Sequence, residues 1–97
     1  MRSVKRIEVV IDALQVKRLL KVLDEAGVSG YTVLPNARGR GERGARRADE
    51  LTGALENAYV FTACPPEEAD RVVEAITPML ERFGGICLVS DAEWVRH

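Results

Sequence analysis

Arginine and glycine alternate between residues 36 and 47, where the sequence is NARGRGERGARR. Five arginines and one acid give this segment a net charge of +4, in a chain whose overall charge is −1. Arginine can grip a phosphate through two parallel N–H donors, and glycine lets the backbone approach a ligand and direct several N–H groups at one anion. The segment therefore predicts a site for a phosphate-bearing ligand.

The residues alone leave other interpretations open. Gly39, Gly41 and Gly44 have G-x-G-x-x-G spacing, but no helical pattern begins at Gly44 and the G-K-[ST] of a P-loop is absent. A solvated basic loop is one alternative. An RNA-binding segment of the RGG type is another, although no aromatic side chains alternate with the arginines.

Composition limits the class of protein. The 97 residues predict a single domain spanning 1–97, and the net charge of −1 argues against partners such as nucleic acid or an anionic membrane. We find no secretory signal and no apolar run of membrane-spanning length, so we expect a soluble cytoplasmic protein. The two cysteines, Cys64 and Cys87, have neither disulfide-framework nor metal-site spacing.

The sequence does not predict an enzyme. The one histidine, His97, is the last residue, and no nucleophile–base pair or metal-ligand cluster is apparent. Glu67 and Glu68 are better explained as acids in the first turn of a helix than as paired catalytic carboxylates. We therefore expect no catalytic residues and no bound metal.

The first half of the chain predicts a strand, a helix and a second strand. Alternating apolar residues indicate a strand over Val4–Ile11, and Asp12 with Gln15 has the pattern of a capping box before a helix. Gly27 stands where the glycine after a helix is expected. A second strand covers Gly30–Leu34 and should be ended by Pro35.

The second half repeats this order after a long connection. Residues 36–56 show no sustained periodicity and predict a functional loop. The next elements are a strand over Asn57–Cys64, a helix that begins at Pro65 and Pro66 and that Pro78 should kink or end, and a strand over Ile86–Val89. Residues 90–97 predict a short tail that begins with a second capping box.

The element order βαββαβ is that of an α+β, ferredoxin-like domain. Right-handed crossovers place the first and third strands in the centre of an antiparallel sheet, with both helices on one face. The strand over 57–64 is apolar on both faces, with Tyr59, Phe61 and Ala63 on the side that the helices leave uncovered. A homo-oligomer that packs sheet against sheet would cover it.

The motifs along this order resemble the PII-like signalling superfamily. Gly30-Tyr31-Thr32-Val33 followed by the glycine-rich loop is similar to the second strand and T-loop of that family, and Gly85-Ile86 is similar to its B-loop. The resemblance implies a homotrimer that binds adenine nucleotides in the clefts between subunits. The chain lacks the R-x-R-T-G-E segment and the T-loop glutamine of nitrogen sensors, so we do not expect 2-oxoglutarate sensing.

Residues 39–46 resemble most closely the T-loop of the carboxysome-associated, SbtB-type branch, G-K-G-S-R-x-x-R. By this resemblance the nucleotide-binding residues are Thr32, Val33, Gly39, Gly41, Arg43, Arg46, Gly85 and Ile86. Glu42 replaces a small hydroxyl residue near the phosphates, which favours AMP or ADP, with ATP and cyclic AMP as further candidates.

The same resemblance implies a role in inorganic-carbon metabolism. Bicarbonate would be a second ligand, and the protein partner a bicarbonate transporter or a carboxysome-linked protein, without insertion into the membrane. Two other ferredoxin-like classes remain as alternatives, namely trimeric metal-binding proteins of the CutA type and small-molecule regulatory domains of the ACT type.

Overall fold

A computed structural model describes residues 1–38 and 56–96, which form a four-stranded antiparallel sheet with two helices on one face. The strands are β1 Arg2–Asp12, β2 Thr32–Ala37, β3 Asn57–Cys64 and β4 Ile86–Trp94, and the helices are α1 Val16–Glu25 and α2 Ala69–Phe83. The strand order β2-β3-β1-β4 confirms the predicted ferredoxin-like topology. None of the helices in these residues is long and apolar enough to cross a membrane.

The hydrophobic core lies between the helices and the two central strands. Ile7, Val9 and Ile11 of β1 point toward the helices and are almost completely buried, as the alternation predicts. They pack with Val60, Leu19, Leu23, Val72, Ile76 and Met79. Burial of each large aliphatic side chain contributes about 1.5–3 kcal/mol, so this layer supplies most of the stability of the protomer.

A short 3-10 turn, Ala13–Gln15, joins β1 to α1. Asp12 accepts a hydrogen bond from the Leu14 N–H at 2.9 Å, so it caps this turn, whereas Gln15 makes no side-chain capping bond. The predicted capping box is therefore only half formed. At the other end of α1, Gly27 has the positive φ of +85° that a glycine after a helix supplies.

Helix α2 begins at Ala69, so the prolines and acids that the sequence predicts at its start instead lie at and within a second 3-10 turn, Pro66–Glu68, just before it. The helix does not end at Pro78 but continues to Phe83. Proline removes one backbone hydrogen bond, and the residues beyond it offset that cost because Met79 becomes buried and Phe83 half-buried.

Strand β2 continues through Pro35 to Ala37, so the prediction that Pro35 ends the strand was wrong. The pairing with β3 shifts by one residue between Leu34 and Ala37, and Asn36 has a φ of +62°. An edge strand with a bulge tolerates proline, because no neighbouring strand needs its missing N–H.

Strand β4 also extends further than predicted, to Trp94, so Ser90–Glu93 form strand and not the start of a tail. The reason is the length of β1, which begins at Arg2 and pairs with β4 back to Trp94. Asp91 forms an ion pair with Lys5, and the Ser90 hydroxyl accepts a hydrogen bond from Arg6 at 3.2 Å. The Ser90 side chain, which was predicted to cap a helix, therefore bonds to the neighbouring strand instead.

Candidate functional site

Gly84 and Gly85 form the turn that connects α2 to β4. Both have positive φ values, +78° and +113°, and the Gly84 N–H closes the helix on the Leu80 carbonyl at 2.8 Å. A Cβ atom on Gly85 would lie 2.5 Å from the carbonyl oxygen of Val10. Gly85 therefore needs to be glycine, and its backbone lies directly against β1 just before the exposed Ile86.

Phe83 anchors this turn from the helix side. Its ring lies 5.2 Å from the guanidinium carbon of Arg18 on α1 and 5.0 Å from that of Arg82. Cation–π contacts of this kind contribute about 0.5–1 kcal/mol each at exposed sites. Arg18 thus ties α1 to the end of α2, which stabilises the conformation in which Gly84 and Gly85 leave the helix.

Thr32 and Val33 begin β2 at the other predicted part of the site. Thr32 is exposed and pairs with Phe61, whereas Val33 pairs with Val60 and packs against the core. The side chain of Val33 is thus occupied by the core, and the outer backbone edge of β2 is the part of this residue open to a ligand.

Both ends of the predicted loop meet at one end of the sheet. Ala37 pairs with Asn57, and the Ala13 N–H donates to the carbonyl oxygen of Glu56 at 2.8 Å. The predicted phosphate-binding residues Gly39, Gly41, Arg43 and Arg46 lie outside the described residues. The residues that flank the loop, Ala37 and Glu56, therefore lie close to the end of β1.

The two described parts of the predicted site lie at opposite edges of the sheet. Thr32 and Val33 are on β2, Gly85 and Ile86 precede and begin β4, and β3 and β1 lie between them. Three strand spacings correspond to about 14 Å. A single protomer therefore does not bring these four residues together.

They nevertheless lie at the same end of the sheet. Consecutive pairings place Leu34, Tyr59, Val10 and Ile86 in one row across the four strands. The turn at Gly85 and the strand that leads into the loop therefore flank the same end of the sheet from its two edges.

The sheet face away from the helices is largely apolar, and we call it the open face. Across the rows from Arg6 to Val10, the strand pairings place on it Arg6, Glu8, Val10, Thr32, Leu34, Tyr59, Phe61, Ala63, Ile86, Leu88 and Ser90. More than half of the surface of Leu34, Ile86 and Leu88 is exposed in the protomer. The sequence correctly predicted such an apolar face on β3, and β2 and β4 extend it.

Three polar residues, Arg6, Glu8 and Tyr59, lie together in the middle of the open face, and we call them the polar cluster. The Tyr59 hydroxyl donates to Glu8 Oε1 at 2.6 Å, and Arg6 Nε lies 3.5 Å from Glu8 Oε2. The hydrogen bond to Glu8, together with burial, raises the pKa of Tyr59 above its ordinary value. Our reading of the sequence missed this cluster, although the alternation in β1 places Arg6 and Glu8 on the face opposite Ile7.

Neither cysteine forms a disulfide. Cys64 on β3 and Cys87 on β4 are free thiols separated by β1, in keeping with the predicted strand order. Burial raises the pKa of both thiols, which lowers their reactivity near neutral pH. In residues 1–38 and 56–96, no group of three or more histidine, cysteine, aspartate or glutamate side chains is arranged to hold a metal ion.

A family model described as nitrogen regulatory protein P-II matches residues 4–97. The chain belongs to this P-II family. Its elements and the strand that leads into the glycine-rich loop are thus those of a P-II protein. No curated protein matches the chain.

Solved structures of P-II relatives share the fold. CPII from Thiomonas intermedia K12, a nitrogen regulatory PII-like protein bound to ADP, AMP and bicarbonate, is 25% identical with a TM-score of 0.81, covering 98% of this chain and 96% of that one. CPII bound to ADP and bicarbonate matches with 27% identity, a TM-score of 0.80 and coverages of 97% and 90%. A PII-like signalling protein from Thermus thermophilus is 27% identical, with a TM-score of 0.76 and coverages of 94% and 88%.

Replacement of Gly85 by alanine tests the close approach of the turn to β1. We expect Gly85→Ala to lower the free energy of unfolding by about 1–3 kcal/mol, because the added Cβ meets the Val10 carbonyl at a positive φ. Gly30→Ala is the matched control, since an added Cβ there has no atom within 4 Å. Chemical denaturation of both variants at equal protomer concentration measures the difference; equal stabilities would contradict the prediction.

Alkaline titration tests the bond between Tyr59 and Glu8. In a Tyr31→Phe background, we expect the phenolate absorbance of Tyr59 to rise at a pH above the ordinary tyrosine range, because Glu8 stabilises the neutral phenol. Glu8→Gln should bring the titration back down. Because the pKa of Tyr59 is higher in the folded protein than in the unfolded chain, the hydrogen bond to Glu8 stabilises the fold fully below pH about 10. This stabilisation is lost as the pH rises through the pKa that Tyr59 has in the folded protein. A Tyr59 titration unaffected by Glu8→Gln would rule out the bond.

Proposed function

We propose that this P-II protein is a cytoplasmic homotrimer that binds an adenine nucleotide in each cleft between adjacent subunits. The observation that carries the proposal is the position of Thr32–Val33 and Gly85–Ile86 at opposite edges of one sheet. A site that uses both pairs needs the β2 edge of one subunit and the β4 edge of another. Association of open faces around a threefold axis brings such edges together and also covers Leu34, Ile86 and Leu88.

The ligands of the relatives support an adenine nucleotide. The CPII structures hold ADP with bicarbonate, and ADP and AMP with bicarbonate. This chain carries five arginines and three glycines in residues 38–47, a composition that suits phosphate binding. AMP or ADP is the proposed ligand, and ATP and cyclic AMP are the further candidates.

Each predicted residue has a proposed role in this cleft. Gly85 and Ile86 offer backbone groups, Thr32 its hydroxyl and Val33 its backbone edge, near the base and sugar. In the loop, Gly39 and Gly41 let the backbone approach the phosphates, and Arg43 and Arg46 neutralise them. These roles are carried from the family resemblance onto matching positions of the chain.

The proposed output is a change in the loop that begins after Ala37. A nucleotide that contacts Arg43 and Arg46 favours the loop arrangement in which these contacts form, so a protein partner can distinguish the bound state from the free one. Bicarbonate is the proposed second ligand, and a bicarbonate transporter or carboxysome-linked protein is the proposed partner. The family match over residues 4–97 disfavours the CutA and ACT alternatives.

Calorimetry with AMP, ADP, ATP, cyclic AMP, bicarbonate and 2-oxoglutarate tests the proposal. We expect binding of AMP or ADP, with up to one site per protomer, and no binding of 2-oxoglutarate. Failure of every adenine nucleotide to bind would refute the proposed function. Tight binding of 2-oxoglutarate would assign the protein to nitrogen sensing instead.

Arg46→Ala tests the loop within the same assay. Loss of a charge-assisted hydrogen bond to phosphate should weaken nucleotide binding by about 1.5–3 kcal/mol, or roughly 10- to 150-fold. Lys21→Ala is the matched control, because it removes one exposed positive charge from α1 and should leave the affinity unchanged. Equal affinities for the wild type and Arg46→Ala would exclude Arg46 from the site.

A further inference from the structure

The polar cluster is unusual because of what surrounds it. Val10, Phe61 and Leu88 adjoin Glu8 and Tyr59 on the strand pairings, and Ile86 and Leu34 extend the same apolar surface. On a surface that faces water, charged residues in this position would need no explanation. On a face that a partner covers, they lose water when the partner packs against them.

Burial of these charges does not favour association by itself. Removing a carboxylate and a guanidinium from water has a large free-energy cost, and apolar residues of the same volume often give equal or greater stability. The effect of such a cluster is instead on which partner is accepted, because a partner that fails to satisfy each charged group leaves it buried and unpaired.

Arg6 has donors for which the described residues, 1–38 and 56–96, provide no acceptor. Its Nε donates to Ser90 and lies near Glu8, whereas in the described part of the chain no acceptor is hydrogen-bonded to its two terminal nitrogens. Glu8 accepts one hydrogen bond from Tyr59 and has further lone pairs on both oxygens. On the open face, the terminal nitrogens of Arg6 can therefore still donate hydrogen bonds, and the Glu8 carboxylate can still accept them. The two residues are two positions apart on β1.

We infer that the polar cluster selects the partner of the open face, accepting only further copies of this chain in one register. In a symmetric assembly of identical faces, Arg6 of each copy can donate from its terminal nitrogens to the Glu8 carboxylate of the next, so that each charged group gains a further partner beyond the contact within its own subunit. A different apolar face without this pair of charges would remove water from the terminal nitrogens of Arg6 and offer them no acceptor. This inference rests on the proposed trimer and adds the residues that determine its specificity.

A charge exchange tests this selection. The double variant Arg6→Glu with Glu8→Arg keeps both charges but reverses their order on the strand, so it should assemble with itself and not with the wild type. Wild-type and variant chains of different mass are unfolded, mixed, refolded together and examined by native mass spectrometry. We expect two homotrimers and few mixed trimers, because mixed assemblies place like charges opposite each other.

The exchange Lys5→Asp with Asp91→Lys is the matched control, since this ion pair lies on the helix side of the sheet. Its trimers should mix with the wild type in statistical proportions. Statistical mixing of the Arg6 and Glu8 exchange, or a folded exchange variant that stays monomeric, would overturn the inference.

Glu8→Gln is a second test in case the exchange variant does not fold. It preserves the shape of the side chain, and the loss of charge leaves Arg6 uncompensated in the interface. The dissociation constant of the trimer, measured by sedimentation, should rise at least about tenfold. An unchanged dissociation constant in a folded Glu8→Gln variant would overturn this inference. A wild-type protein that is monomeric, or that binds no adenine nucleotide, would instead refute the proposed function.

Discussion

Two helices cover one face of a four-stranded sheet, and this chain has no further described element to cover the other. The helix side is filled by Ile7, Val9 and Ile11 with their partners on α1 and α2. The open face retains large apolar side chains that a solitary soluble protein rarely displays together. The proposed trimer follows from this imbalance, because copies of the sheet that pack together would cover the open face of each other.

The same imbalance links assembly to ligand binding. The turn at Gly85 and the strand at Thr32 lie on opposite edges, so a nucleotide that contacts both must bridge two subunits. A ligand that binds only the assembled state stabilises that state by mass action. The proposed trimer and its proposed nucleotide sites are therefore expected to stabilise each other.

Much of the fold could be predicted because its signals are local or follow from chirality. Alternation identified β1, glycine at position 27 marked the end of α1, and right-handed crossovers then determined the strand order. The capping pattern at Ser90–Glu93 led to a wrong prediction of a helical tail. The same side chains can bond to a neighbouring strand, and the sequence does not show how far β1 extends. Pro35 misled similarly, since its effect depends on whether β2 is an edge or a central strand.

The sequence by itself determined the ferredoxin-like element order and the apolar face of β3, and it predicts a phosphate site in the arginine–glycine loop. These follow from residue type and spacing, which act over a few neighbouring positions. Only the tertiary structure decided that Leu34, Tyr59, Val10 and Ile86 form one row across the four strands and that Arg6, Glu8 and Tyr59 meet on the open face. Those relations depend on strand register, and register is set by the packing of the whole sheet against its helices.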